Sequence, residues 1–308
     1  MRQPPTIQML PDGRRVHLHD GPIDLIVEAF GDPAEIREAY RAAANRFGSI
    51  LDELCVELPL LRSRASRGNS GPDGPVARRM YAAVLPFASR VFITPMAAVA
   101  GAVAEEILEA MTHAANLSRA YVNDGGDIAI HLSRSEHFSV GMVNNPEASR
   151  RPESPCLFGS ANINFEDSTR GIATSGWRGR SFSLGIADAV TVLAPRAAMA
   201  DAAATVIANA VNLPGHPGII RIPARDLAPD NDLGQIPVTR VVPPLRPAEI
   251  ADALARGVQV ARGLLGEGLV CAAALHLQGA TRVVDRPSRL AIAPRAESPA
   301  NHRGLAHA

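Results

Sequence analysis

The chain contains 308 residues, of which 46% are hydrophobic and 20% are charged. This composition is that of an ordinary globular protein, and it fits neither an intrinsically disordered chain nor a membrane-embedded one. The 31 basic and 31 acidic residues balance to a formal net charge of zero. No overall attraction to nucleic acid or to an anionic membrane surface is therefore expected, and we predict a small-molecule ligand instead.

The sequence contains no lysine, so arginine carries all of the basic charge apart from histidine. A pyridoxal Schiff base requires a lysine amine and a Walker A loop requires a lysine at the phosphates, which excludes both chemistries. Three cysteines, Cys55, Cys156 and Cys271, form no C-x-x-C pair. This spacing argues against a zinc ribbon or a disulfide framework, and we expect buried, reduced thiols.

The first residues lack the apolar stretch of a secretory signal. The longest clean apolar run, residues 96–104, is far shorter than the roughly 20 residues that a membrane span requires. We therefore expect a cytoplasmic protein with no membrane partner.

The predicted elements begin with a hairpin, because residues 14–19 and 23–30 are extended runs separated by Asp20-Gly21-Pro22. Asp32-Pro33-Ala34-Glu35 then combines an N-cap acid, a proline at the first helical position and an early glutamate, which predicts a helix to about Asp52. Between residues 59 and 75 the composition shifts to Arg, Ser, Gly, Asn and Pro, which predicts a mobile loop.

The rest of the chain alternates between predicted strands and helices, which favours a layered α/β architecture. These elements are a helix from Pro95, strands within 119–132 around a glycine turn, strands at 139–143, 161–165 and 189–193, a helix at 196–211, a strand at 237–242, a helix at 247–265 and a strand at 269–277. We predict one domain over residues 1–285 and a disordered tail at 286–308.

The predicted helix at 196–211 is rich in alanine, and its neutral or acidic polar residues fall at Asp201, Thr205 and Asn209. Residues four apart share one helical face, so a carboxylate and a hydroxyl at this spacing could bind a hard cation such as Mg²⁺. The alternative is that this polar stripe faces solvent while the alanines pack inward.

The segment Asn123-Asp124-Gly125-Gly126-Asp127 interrupts an extended run. Two successive glycines permit positive φ and let backbone N–H groups approach an anion or a ring. The alternative is an ordinary hairpin turn.

The loop that starts at Thr174-Ser175-Gly176 continues into Trp177-Arg178-Gly179-Arg180. Hydroxyls, an indole and guanidinium groups together suit a phosphorylated aromatic ligand. The alternative is a solvated surface turn. His17 and His19 share one predicted strand face and could bind a metal, but without a third ligand nearby they are more typical of a surface pair.

These pieces occur in an order that resembles the ApbE-type FAD:protein FMN transferases. The segments that carry the resemblance are Pro95–Gly101, Val122–Ile128, Ile172–Gly176, Ala189–Pro195 and Ala200–Thr205. The resemblance implies a T-fold-like sheet packed with helices, Mg²⁺ held by Asp201, Thr205 and a backbone carbonyl near Ala98, and FAD or a related flavin nucleotide as the ligand.

The same resemblance implies which residues surround the flavin nucleotide and what reaction follows. The cofactor-binding residues would be Asn123, Gly125, Gly126, Asp127, Thr174, Ser175, Gly176, Trp177 and Arg178. In such transferases a threonine hydroxyl of an acceptor protein attacks FAD, AMP departs, and FMN remains esterified to the acceptor.

Two features depart from the family pattern. Ala100 stands where the family has a lysine, and residues 180–188 replace an expected histidine and Asp-Pro segment. Asp188 is the candidate catalytic residue in that stretch. The sequence thus leaves open an Mg²⁺-dependent transferase, a non-catalytic flavin-binding or accessory protein, and a different enzyme on the same scaffold. An alanine-rich apolar surface could also support a homo-oligomer.

Overall fold

The computed structural model describes residues 4–68, 71–143 and 157–285, with only the backbone described at 142–143 and 157–159. The strands in these ranges are β1 (Thr6–Met9), β2 (Val16–Asp20), β3 (Ile23–Gly31), β4 (Leu117–Asp124), β5 (Asp127–Leu132), β6 (His137–Val143), β7 (Leu157–Asn164), β8 (Gly171–Ser175), β9 (Ala189–Ala194), β10 (Ile220–Pro223), β11 (Pro237–Val241), β12 (Ala272–Leu277) and β13 (Ala280–Asp285). The helices are α1 (Pro33–Val56), α2 (Leu58–Leu61), α3 (Pro75–Val84), α4 (Val99–Ala114), α5 (Ala197–Ala210), α6 (Ala224–Leu227) and α7 (Pro247–Gly266), with a 3₁₀ turn at Pro95–Ala98.

Nine strands form one sheet in the order β1-β2-β3-β4-β5-β8-β9-β12-β13. Every neighbouring pair in this sheet is antiparallel. Even β3 and β4, which are separated in sequence by four helices and a 3₁₀ turn, pair side by side. The predicted layered fold of helices on a sheet is confirmed, and its fully antiparallel sheet gives it the α+β form of that architecture.

The sheet buries both faces, each against a different layer. One face packs against the helices in a core that runs from Val16 to Val284 and draws on both halves of the chain. The opposite face carries a smaller cluster around Ile163, Ile172 and Leu193, where the β6–β7 hairpin covers part of the sheet. Alternate residues of each strand therefore point into different layers. The prediction of a single domain stays a prediction, and the continuous helix-side core supports it.

The N-terminal hairpin and the start of α1 match their predictions. β2 and β3 pair in antiparallel register on either side of the predicted turn. Asp32 caps α1, since its carboxylate accepts a hydrogen bond of 2.7 Å from the backbone N–H of Ala34. The helix extends to Val56, beyond the predicted end at Asp52, because Ile50 and Leu54 remain buried against the core.

Other expectations need correction or lie outside the described residues. Within the predicted mobile loop at 59–75, the start is ordered: Leu61 ends α2 and is fully buried, and Ala65 is also buried. Cys55 is exposed and Cys271 is half-buried, so the expectation of buried thiols is wrong for Cys55. Cys156 and the tail at 286–308 lie outside the described residues. No helix in the described part of the chain combines the length and apolar character needed to cross a bilayer.

Helices α4 and α5 touch backbone to backbone at Gly101. A β-carbon added there would lie 2.3 Å from the carbonyl oxygen of Ala197. We predict that Gly101→Ala lowers the free energy of unfolding by about 1–3 kcal/mol or more, because overpacking forces the helices apart. Gly48→Ala in α1 is the matched control, since nothing lies within 4 Å of its added β-carbon. Urea unfolding should show that control stabilised by up to about 1 kcal/mol, and a tolerated Gly101→Ala would contradict the close contact.

Candidate functional site

The carboxylate of Asp201 lies where α4 and α5 meet. Its Oδ2 accepts a hydrogen bond of 3.1 Å from the backbone N–H of Gly101, in the first turn of α4. The first N–H groups of a helix have no partner within the helix, and a negative charge there is favoured by the helix dipole. Asp201 is half-buried and does not point into bulk water.

The polar stripe of α5 is partly covered by neighbouring residues rather than fully exposed to solvent. Nine of its residues are buried, and Asp201, Thr205 and Asn209 are all half-buried. The Asn209 side chain accepts a hydrogen bond of 2.8 Å from the backbone N–H of Leu184. Ala98, the last residue of the 3₁₀ turn and the N-cap of α4, is fully buried. The alanines of α5 pack inward, as the alternative expects, but the polar stripe is half-buried rather than exposed, and its role in binding a cation stays a prediction.

The glycine segment forms the turn between β4 and β5, so the hairpin alternative describes its backbone correctly. Gly125 and Gly126 adopt φ of +62° and +116°. Asn123 closes the turn by accepting a 2.8 Å hydrogen bond from the backbone N–H of Gly126. Asp124 and Asp127 are directly paired across the two strands, which places two carboxylates at this end of the sheet on one face.

The glycine turn contacts the Thr-Ser-Gly loop directly. Asp127 accepts a 3.1 Å hydrogen bond from the backbone N–H of Thr174. A β-carbon at Gly125 would overlap the guanidinium of Arg180, which shows how closely that side chain covers the turn. Two segments about 50 residues apart in sequence therefore line one site.

Thr174 and Ser175 face opposite layers because they are consecutive residues of a strand. Thr174 shares the face of Ile172, and its hydroxyl lies 2.9 Å from the hydroxyl of Thr191. Ser175 pairs with Val190, which belongs to the helix-side core. The backbone N–H of Thr174 thus donates a hydrogen bond to the acidic cluster, which consists of Asp124, Asp127 and Asp201. The side chain of Ser175 projects from the helix-side face of β8.

Asp124, Asp127 and Asp201 lie close enough to interact electrostatically, and the pKa of each carboxyl departs from its ordinary value. Burial, followed by the charge of Asp127, raises the pKa of Asp124 to about 7. Burial likewise raises the pKa of Asp127 to about 7, although the Thr174 N–H and Arg180 oppose this shift. Burial and then the charges of Asp127 and Asp124 raise the pKa of Asp201 well above its ordinary value. Carboxylates that repel one another in this way gain from a bound cation.

Arg180 offsets part of this negative charge. Its guanidinium lies 4.0 Å from Oδ1 of Asp124, and its side chain is more than half exposed. The distance is long and the arginine end is exposed to solvent, so this ion pair offsets the repulsion among the aspartates only in part.

Asp188 is buried and anchors the loop that follows Gly176. Its Oδ1 accepts hydrogen bonds from Nε1 of Trp177 at 3.1 Å and from Nε of Arg178 at 2.8 Å. Its Oδ2 accepts a 2.6 Å hydrogen bond from the backbone N–H of Gln278. The guanidinium of Arg178 also stacks on the indole, 4.6 Å from the ring centre. This geometry makes Asp188 a positioning residue for the loop.

Sequence reasoning included Asp124 and Arg180 in its candidate segments but not among the cofactor-binding or metal-binding residues, and it did not identify Arg180 as the cation over the glycine turn or Gly101 as a donor to Asp201. Asp124 was visible as the first acid of the Asn-Asp-Gly-Gly-Asp segment, and alternation along β4 would have placed it on the same face as Val122. The other two depend on contacts between distant segments, for which the local sequence carries no signal.

A family model described as "AbpE bacteria" matches residues 7–283. The chain belongs to this ApbE-like family. A UPF0280 protein of Methanosarcina acetivorans is 31% identical over 193 residues, covering 61% of this chain and 70% of the relative. A UPF0280 protein of Methanopyrus kandleri is 38% identical over 136 residues, covering 44% of this chain and 48% of the relative. The match thus spans about half the length of the second relative.

One solved structure aligns with most of this ApbE-like chain. It is a mutant of the flavin transferase ApbE from Vibrio cholerae, 10% identical, and the alignment covers 92% of this chain and 97% of that one. The TM-score is 0.36. Membership of the family rests on the sequence match alone.

Proposed function

We propose that this ApbE-like protein binds a flavin nucleotide such as FAD together with Mg²⁺, and that it transfers FMN to a threonine of an acceptor protein. The observation that carries the proposal is the convergence of four distant segments: Asp201 accepts a hydrogen bond from Gly101, and Asp127 accepts one from Thr174. These are the segments on which the family resemblance rests. A small-molecule ligand between them would contact each segment at once.

The donor set of the acidic cluster suits Mg²⁺. Carboxylate, hydroxyl and carbonyl oxygens are the ligands that this hard cation prefers, and it is usually held by one or two carboxylates plus substrate phosphates. Asp201 and Thr205 lie one turn apart on α5, and Ala98 begins α4 beside them. The raised pKa values of Asp124 and Asp127 support the fit, since a cation would relieve the repulsion that burial and proximity create.

The neighbouring loops offer groups for the nucleotide. The exposed guanidinium groups of Arg178 and Arg180 can pair with phosphate oxygens. The half-buried indole of Trp177, fixed by Asp188, offers an aromatic surface next to them. At Gly126 nothing lies within 4 Å of an added β-carbon, so a ligand can approach this backbone closely, whereas the exposed Arg180 side chain covers Gly125.

When bound, the metal would supply positive charge to the pyrophosphate as negative charge develops on the departing AMP. The chain's own residues hold the reactants: Asp201 is fixed by α4, Asp127 ties the glycine turn to β8, and Asp188 orders the arginine loop. These contacts orient the nucleotide in the absence of the family's lysine, whose position Ala100 occupies.

A non-catalytic flavin-binding role is the second candidate, and the state of Asp188 favours it. The hydrogen bonds from Trp177, Arg178 and Gln278 engage both oxygens of this carboxylate. A carboxylate in this state is poorly placed to take a proton from an acceptor hydroxyl. In that role the binding segments would capture the flavin, and the protein would catalyse no reaction.

One experiment separates these candidates. The purified chain is incubated with FAD, Mg²⁺ and several threonine-bearing acceptor peptides while AMP release is measured, and binding is followed by the fluorescence of Trp177, the single tryptophan of the chain. AMP release that requires both Mg²⁺ and acceptor supports the transferase. Quenching by FAD without AMP supports the binding role, and the absence of both overturns each candidate.

A further inference from the structure

We propose a second metal site, for Zn²⁺, formed by His17, His19 and Asp24. The sequence places two histidines on one strand face but shows no third ligand beside them. Strand pairing supplies it, because one ligand atom from each of the three residues lies within 4.8 Å of the other two. Nε2 of His17 contacts Oδ1 of Asp24, and Nδ1 of His19 lies 3.8 Å from the same oxygen.

The register of the sheet fixes this arrangement. His19 is directly opposite Asp24 in the β2–β3 pair, and His17 lies two residues away on the same face of β2. β2 has neighbours on both sides, since it also pairs with β1. The backbone positions of all three ligands are therefore held by the sheet, and the metal needs only small side-chain rotations.

The donor chemistry differs from that of the acidic cluster. Two imidazoles and one carboxylate are a typical zinc ligand set, with bonds of roughly 2.0–2.2 Å and water in the fourth position. The side chains of His17, His19 and Asp24 are 32%, 48% and 44% exposed. That exposure gives the ion a path from solvent and leaves room for a bound water.

The side chains of the zinc ligands and those of the proposed Mg²⁺ site lie on opposite faces of the sheet, and the charge of Asp24 acts across the strands on Asp124. Leu18 and Leu25 point into the helix-side core, so their chain neighbours His17, His19 and Asp24 point to the opposite face. Asp124 shares the face of Val122, which belongs to the helix-side core. The two groups of ligands thus approach the same end of the sheet from different faces.

The test is calorimetric titration of ZnCl₂ into the tag-free full chain in the presence of excess Mg²⁺. Because the sequence also has histidines at 302 and 307, the background carries His302→Gln and His307→Gln. We expect one equivalent of Zn²⁺ to bind. His17→Gln, His19→Gln and Asp24→Asn should each weaken Zn²⁺ binding by at least roughly 10- to 100-fold. Loss of a residue that only supports a metal ligand already costs that much affinity.

Three variants control for other sources of binding. His113→Gln removes an exposed histidine on α4, Cys55→Ser removes an exposed thiol, and Asp201→Asn removes a carboxylate of the acidic cluster. Each should leave zinc affinity unchanged. The proposal is overturned if the native chain binds no zinc, if binding survives in His17→Gln and His19→Gln, or if a control variant abolishes it. Circular dichroism verifies that each variant is folded.

Discussion

The Asp201→Asn variant is expected to bind FAD about 30-fold or more weakly than the native chain when Mg²⁺ is present. Removing one partner of a buried charge interaction costs about 2–5 kcal/mol, and about 2 kcal/mol corresponds to roughly 30-fold in affinity. Titration calorimetry with and without Mg²⁺ measures the effect. In the absence of the metal, the two proteins should bind FAD with similar affinity.

The folding stability of this variant should change much less. Asparagine retains an oxygen that can accept the hydrogen bond from Gly101, and it removes a charge that Asp124 and Asp127 repel. Thermal unfolding in EDTA should therefore place the variant within about 1 kcal/mol of the native chain. Asp252→Asn, an exposed acid on α7, is the matched control and should alter neither property. Equal Mg²⁺-dependent affinity in the native chain and the Asp201→Asn variant would count against the metal site.

In the metal-free protein, the protonated carboxyl of Asp124 should stabilise the fold by a contribution that is lost as pH rises from about 4 to about 7. Burial raises the pKa of Asp124 from 3.8 to about 7 in the folded state. Between these values the folded chain binds a proton that the unfolded chain has released, so this contribution is fully present below about pH 4 and disappears as pH rises through about 7. One such group gives a slope of at most about 1.4 kcal/mol per pH unit.

Urea unfolding at several pH values in EDTA tests this expectation as a difference between proteins. Asp124→Asn removes the titrating group, so its stability should fall less steeply over this range than that of the native chain. Comparing the native chain with Asp124→Asn cancels the contributions of groups with the opposite pH dependence. One such group is His276, whose pKa is lowered by burial. Saturating Mg²⁺ should flatten the native profile, and parallel profiles for the two proteins would show that Asp124 titrates normally.

Local chemistry predicted much of the fold. The turn at Asp20-Gly21-Pro22, the N-cap at Asp32 and the alternation of strands with helices identified the correct element type in most places. The sequence did not reveal that the sheet is antiparallel throughout, because strand direction depends on how distant segments meet. It also misjudged the loop at 59–75, where polar composition hid the buried Leu61 and Ala65.

The candidate site was predicted as segments rather than as contacts. Motif order brought Asp201, Asp127 and Thr174 to attention, but only the folded chain shows Asp127 bound to the N–H of Thr174. The role of Gly101 required knowing that α4 and α5 touch at their backbones. Asp24 escaped notice as a ligand because its partners, His17 and His19, lie on the neighbouring strand.

Because Thr174 and Ser175 point to opposite faces of the sheet, the number of residues in β8 matters as much as their identity. Inserting or deleting a single residue upstream within this strand would exchange the two hydroxyls between the layers of the protein. The hydroxyl that now meets Thr191 would then turn toward the aspartates, and the other would leave them. Evolution can therefore vary these side chains individually far more easily than it can change the length of the strand that presents them.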